Sequence, residues 1–130
     1  MSDSKPGQVV WTDLTVNDAG ELRDFYRDVV GWRVQDTDMG DYDDYTMLAD
    51  GSDDGVAGVC HARGSNAGLP PVWLNYVAVA DLDASMARCV EKAGAVVHGP
   101  APLAGGRFCV IRDPAGAHLA LFQPPAENED

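Results

Sequence analysis

The sequence predicts an α+β protein made of two tandem βαβββ units. Three observations predict it. From Val9 to Val34 the chain reads strand, cap, helix, stop, strand. From Val72 to Val97 it reads the same way, with Asp18 and Gly31 recurring 63 positions later as Asp81 and Gly94. Val16, Tyr26, Val30 and Val34 meet Val79, Cys89, Ala93 and Val97 at that same offset. A register held through cap, helix face and stop marks two copies of one supersecondary unit.

Each element follows from local pattern. Residues 1–8 form a polar tail. In Val9–Val16, alternation puts Leu14 and Val16 on the helix side, with Trp11, Asp13 and Thr15 on the other. Asp18 and Glu21 have capping-box spacing, in which each side chain answers a free backbone N–H. Leu22, Phe25, Tyr26, Val29 and Val30 then fall at i, i+3, i+4, i+7, i+8, the apolar face of a helix over 19–30. Gly31 supplies the left-handed stop. Strands are expected at 32–36, 45–49 and 56–61. The turn 50–55 is rich in aspartate but lacks the glutamate that closes a calcium loop.

Residues 62–71 (ARGSNAGLPP) are a linker whose prolines cannot join a central ladder. The second unit repeats the order: strand 73–79, helix 82–93, strand 95–98, loop 99–106, strand 108–112, an Asp-Pro-Ala-Gly turn at 113–116, and strand 118–123. The organisation is thus tail 1–8, unit 9–61, linker 62–71, unit 72–123 and tail 124–130. One four-stranded sheet with one helix leaves its other face bare. Two such units are expected to bury part of those faces around a concave pocket.

Composition narrows the function. A chain of 130 residues with 45% hydrophobic content suits one globular domain that needs no disulfide staple. Cys60, Cys89 and Cys109 are odd in number and scattered, so they read as reduced thiols in a cytoplasmic protein. The N-terminus lacks a signal peptide's apolar core, and no apolar run approaches membrane-spanning length. A net charge of −12 repels phosphate backbones and anionic lipid, so neither nucleic acid nor membrane is an expected partner. The same charge favours cationic ligands.

The segment Phe25-Tyr26-Arg27-Asp28-Val29-Val30-Gly31-Trp32 and the closing Arg112–Pro124 (RDPAGAHLALFQP) resemble the vicinal oxygen chelate superfamily of glyoxalases, bleomycin-resistance proteins and extradiol dioxygenases. The resemblance covers about residues 8–124. It implies the glyoxalase/bleomycin-resistance-like fold, a small-molecule pocket and a homodimer. It also implies a divalent metal held by two residues from first strands and two from last strands. At those positions this chain carries Trp11, Leu74, Gly58 and Ala120, none of which can ligate such an ion. No metal or other cofactor is therefore expected.

The candidate ligand-binding residues are Trp11, Asp13, Tyr76, His118 and Phe122. The aromatics offer walls for flat or cationic molecules. Asp13 offers a carboxylate to an amine, and His118 an imidazole near Ala120. Surface or packing roles compete with each of these. His61 and His98 read as strand-end and surface histidines, Arg107 as a surface cation, and Cys60 as a thiol with no base aimed at it. The expected function is metal-free binding of a small aromatic or cationic molecule, as in drug or metabolite sequestration. The alternative is a glyoxalase-like lyase or isomerase, or a dioxygenase-like catalyst. It would use an atypical metal, or metal-free acid–base chemistry by His118 and Asp13.

Overall fold

The computed structural model describes residues 5–126, Ser65 without its side chain. The ends of both expected tails lie outside the described residues. The elements are β1 (Val9–Val16), α1 (Ala19–Val30), β2 (Arg33–Asp38), β3 (Asp43–Leu48), β4 (Gly55–His61), β5 (Trp73–Ala78), α2 (Leu82–Glu91), β6 (Ala95–Leu103), β7 (Gly106–Arg112) and β8 (His118–Gln123). A short 3-10 turn at Gly64–Asn66 interrupts the linker. The protein is α+β, with the order βαβββ occurring twice. No helix among the described residues is long and apolar enough to cross a membrane.

The chain divides into two compact units. One is Trp11–Trp73; the other combines the segment up to Val10 with that from Leu74 onward. In the first unit the strand order is β2-β3-β4-β1, with β1 parallel to β4 and Asp13 opposite Gly58. In the second it is β5-β8-β7-β6, with β5 parallel to β8 and Tyr76 opposite Ala120. Asp13 and Tyr76 are repeat-related positions, so the duplication read in the sequence reappears in the strand pairing. Parallel pairing needs a crossover, and the helix provides it.

Each unit packs its helix on one sheet face. In the first, Ala19, Met47, Ala57 and Val59 form the buried centre, flanked by Leu22, Tyr26, Trp32, Val34, Tyr45 and Trp73. The Trp73 indole N–H donates to the Tyr26 hydroxyl at 3.1 Å, and the Trp73 and Trp32 rings meet edge-on at 5.9 Å. In the second, Leu82, Cys109 and Leu121 are the centre, with Val79, Met86, Val96, Ile111 and Leu119 around them.

Several expectations need correction. The helix faces are narrower than the periodicity implies: Phe25 and Val29 on α1 are 53% and 64% exposed, and Val90 on α2 is 61% exposed. The 3.6-residue repeat marks a stripe, but only its centre reaches the sheet. Asp18 makes no side-chain cap bond, whereas Asp81 accepts the Ala84 N–H at 3.1 Å. The expected loop at 99–106 is mostly strand, since β6 continues through Leu103. Within its unit β6 lies at the end of the strand order, where a proline costs no ladder bond. Breaks in the β6–β7 register flank His98.

The helix stops also differ. Gly31 takes the left-handed conformation (φ 89°) and donates its N–H to Arg27 O. After α2, Ala93 takes that conformation instead (φ 74°), one residue before Gly94. Gly94 is needed for space: a Cβ there would stand 2.7 Å from Cys89 Sγ and 3.0 Å from the Arg112 carbonyl oxygen.

Two stability predictions follow from these ends. Asp81→Ala removes a working cap and lowers unfolding free energy by about 1 kcal/mol, while Asp18→Ala changes it by less than about 0.5 kcal/mol. Urea titrations of the two variants check the contrast; equal losses would contradict it. Ala93→Gly relieves a left-handed alanine and raises stability by about 0.5 kcal/mol or more, read as a higher denaturation midpoint.

Candidate functional site

The sheet face away from the helix in the first unit carries Trp11, Asp13 and Thr15 from β1, Gly58 and Cys60 from β4, and Thr46 from β3. Strand alternation and the Asp13–Gly58 and Thr46–Gly58 pairings place them together. Trp11 lies across the glycines. A Cβ on Gly58 would stand 3.4 Å from the indole and 3.1 Å from Asp13 Cβ, and one on Gly55 would be 3.5 Å from the indole. The indole therefore fills the space beside Gly58, a position that the resemblance assigns to a metal ligand. Trp11 and Asp13 are half-buried.

In the second unit the corresponding face holds Leu74, Tyr76 and Ala78 from β5, Phe108 and Val110 from β7, and His118, Ala120 and Phe122 from β8. Cross-strand pairs Tyr76–Ala120, Ala78–Phe122 and Phe108–Phe122 fix them. Tyr76 is 4% exposed, and Leu74 and Ala120 are buried; His118 and Phe122 are half-buried. The Tyr76 and Phe108 rings are 5.8 Å apart. His98 lies 5.6 Å from Phe108, and its Nε2 is buried without a hydrogen-bond partner. That corrects the reading of His98 as a surface residue. Its position before Gly-Pro hid the fact that the strand runs on.

Trp11, Gly58, Leu74 and Ala120 therefore offer indole, hydrogen and two alkyl groups. Neither pair, Trp11 with Gly58 in the first unit nor Leu74 with Ala120 in the second, offers a ligand for a divalent ion. No group of three or more His, Cys, Asp or Glu among the described residues has the arrangement to hold a metal.

The first unit contains one cluster that sequence reasoning missed. Asp44, only 5% exposed, accepts the His61 backbone N–H at 2.8 Å, and the same oxygen lies 3.2 Å from His61 Nδ1. Tyr42 and Tyr45 flank the His61 ring at 5.5 and 5.8 Å. The pKa of the Cys60 thiol is pushed well up, first by burial and then by the charges of Asp13 and Asp44. Cys60 is thus held protonated, in line with its reading as an unactivated thiol. The contact follows from the β3–β4 register, which sets Tyr45 opposite Val59 and so brings residue 44 toward residues 60 and 61; the sequence alone carried no signal for it.

Other candidates resolve simply. Arg107 pairs with Asp83 at 3.1 Å on the surface. An open groove of about 590 Å³ beside α2 is lined by Asp81, Ser85, Arg88, Cys89 and Leu121 among others, and none of the five expected ligand residues lines it.

Comparisons with known proteins bear on the family and the fold. The family model for the Glyoxalase/Bleomycin resistance protein/Dioxygenase superfamily matches residues 8–121. The chain is 30% identical over 124 residues to the Mycobacterium bovis protein named "Putative glyoxylase CFP32", covering 94% of this chain and 48% of that one. It is 33% identical over 118 residues to the anthracycline biosynthesis protein DnrV of Streptomyces peucetius, covering 91% and 42%. The chain thus spans about half the length of these relatives. Among solved structures, methylmalonyl-CoA epimerase from Mycobacterium tuberculosis shares the fold at TM-score 0.56 and 19% identity, covering 97% of this chain and 93% of that one. With most of its length matched and both repeats in place, the chain belongs to the Glyoxalase/Bleomycin resistance protein/Dioxygenase superfamily.

Proposed function

We propose that the protein is a metal-free binding member of its superfamily that holds a small aromatic or cationic molecule. The observation that carries this reading is the Trp11 indole lying over Gly58. An aromatic wall stands beside a position that the resemblance assigns to a chelating side chain. In the first unit Trp11 offers a stacking surface and Asp13 a carboxylate. In the second, Tyr76 and Phe122 offer aromatic surface, and His118 an imidazole ring. Stacking and cation–π contacts on such walls contribute roughly 0.5–2 kcal/mol each. The net charge of −12 adds attraction for cations. Similarity to an anthracycline biosynthesis protein supports a flat polycyclic class of ligand.

The test uses a flat aromatic cation, acridine orange, and a neutral anthracycline aglycone. Trp32 and Trp73 pack beneath α1, so Trp11 is the tryptophan positioned to report binding on the other face. Both probes quench tryptophan emission, and excess EDTA leaves the quench unchanged. Trp11→Leu removes most of the quench and weakens affinity about tenfold. Asp13→Asn weakens the cation more than the neutral aglycone. A stoichiometric transition metal in freshly purified protein, or no melting shift with any compound in a broad aromatic and cationic screen, would overturn the reading. A metal would favour the catalytic alternative, to which the glyoxylase name of one relative lends support.

The same reading takes the chain as a homodimer, which would match two copies to the greater length of the relatives. Light scattering reads twice the chain mass if this holds and the single-chain mass if it fails.

A further inference from the structure

The geometry points to a second functional centre, a proton-transfer dyad of Asp44 and His61 that acts on a flat conjugated molecule bearing a weakly acidic proton. The centre lies wholly in the first unit and does not depend on the ligand-binding reading above.

Four observations carry it. First, the imidazole is oriented. Asp44 Oδ1 takes the His61 backbone N–H at 2.8 Å and faces Nδ1 at 3.2 Å. A carboxylate oxygen can only accept, so Nδ1 carries a proton, and in the neutral ring Nε2 then presents its lone pair. Second, the carboxylate is protected: Asp44 is 5% exposed. Its charge therefore acts on an imidazolium through a medium less screening than water.

Third, the ring is reachable. The His61 side chain keeps 22% of its surface exposed, and Nε2 takes no hydrogen bond among the described residues. Fourth, the surroundings suit a flat substrate that becomes an anion. Tyr42 and Tyr45 wall the imidazole. The Arg63 guanidinium lies 4.0 Å from the Tyr42 ring centroid. Its ion pair to the exposed Asp41 is long, at 3.9 Å, and such pairs are easily exchanged.

The step is redox-neutral. The bond from the substrate atom to hydrogen breaks, and the proton passes to Nε2. The electron pair stays on the substrate as a delocalised anion, for which Arg63, stacked on the Tyr42 ring, is the cation on the same wall. Asp44 stabilises the imidazolium through Nδ1–H. Return of the proton to the same or a neighbouring atom completes an exchange or an isomerisation. His61 is the group that meets the substrate, and Asp44 is a positioning residue.

The probe is 5-nitrobenzisoxazole, a flat aromatic whose C3 proton is taken by a general base. The C–H pair becomes part of a nitrile, the N–O bond breaks, and its pair leaves on a coloured phenolate oxygen. The full chain is expected to turn the probe over about a hundredfold faster than an equal concentration of free imidazole. His61→Gln returns the rate to background, and Asp44→Asn lowers it about tenfold or more.

A direct measurement stands apart from variant folding. Long-range proton–nitrogen correlation spectra of the unmodified protein should show His61 with Nδ1 protonated and Nε2 bare. Asp44→Asn should shift that tautomer balance, which a merely structural Asp44 would not do. A rate no greater than imidazole's, a rate unchanged in a folded His61→Gln protein, or an Nε2-protonated tautomer in the parent would each overturn the proposal. Loss of probe quenching at Trp11 with the dyad rate intact would sink only the ligand-binding reading.

Discussion

Parallel pairing of the first and last strands is the constraint on which each unit rests. β1 cannot lie beside β4, nor β5 beside β8, unless the intervening chain crosses over and returns. The helix makes the crossover, and two antiparallel strands make the return. Once that pairing is set, the face under the helix closes with aliphatic residues. The other face gathers residues from both ends of the unit into one row. Asp13 and Gly58 become neighbours, as do Tyr76 and Ala120, although each pair is more than forty residues apart in sequence.

That row explains how one architecture can carry different side chains at these four positions without losing its shape. The corner positions take part in strand pairing and burial whatever side chain they carry. Leu74 and Ala120 pack as ordinary core residues, and Trp11 spreads over glycines that would resist a side chain of their own. The two units have diverged in character. The first-unit face keeps acids, threonines and a thiol, whereas the second is almost wholly apolar and aromatic. The same division places Asp44 and His61 in the first unit, where polar groups are already plentiful.

Much of the fold was legible because it rests on short-range rules. Period-two alternation located β1, β5 and β8, and the 3.6-residue stripe with Gly31 located α1. What escaped depended on neighbours. The stretch Gly99–Leu103 lacks strand-forming side chains, yet an end position in the strand order lets it pair as β6. Ala93 adopts a glycine-like conformation because Gly94 is committed to the close approach of Cys89 and Arg112. The Asp44–His61 contact needed the β3–β4 register, which a turn of uncertain length does not reveal. His98 looked exposed because its setting seemed to be a loop.

The fastening of the linker has a practical consequence. At one end the Ala62 N–H donates to the Val16 carbonyl; at the other the Trp73 indole is tied to Tyr26 beneath α1. The stretch between them is a closed loop whose ends are held by the first unit itself. Ring-closure entropy rises only with the logarithm of length, about 0.6 kcal/mol for each doubling. Natural or engineered insertions would therefore be absorbed at residues 64–68 with little penalty, making this the natural place to graft a tag, a reporter or an entire foreign domain.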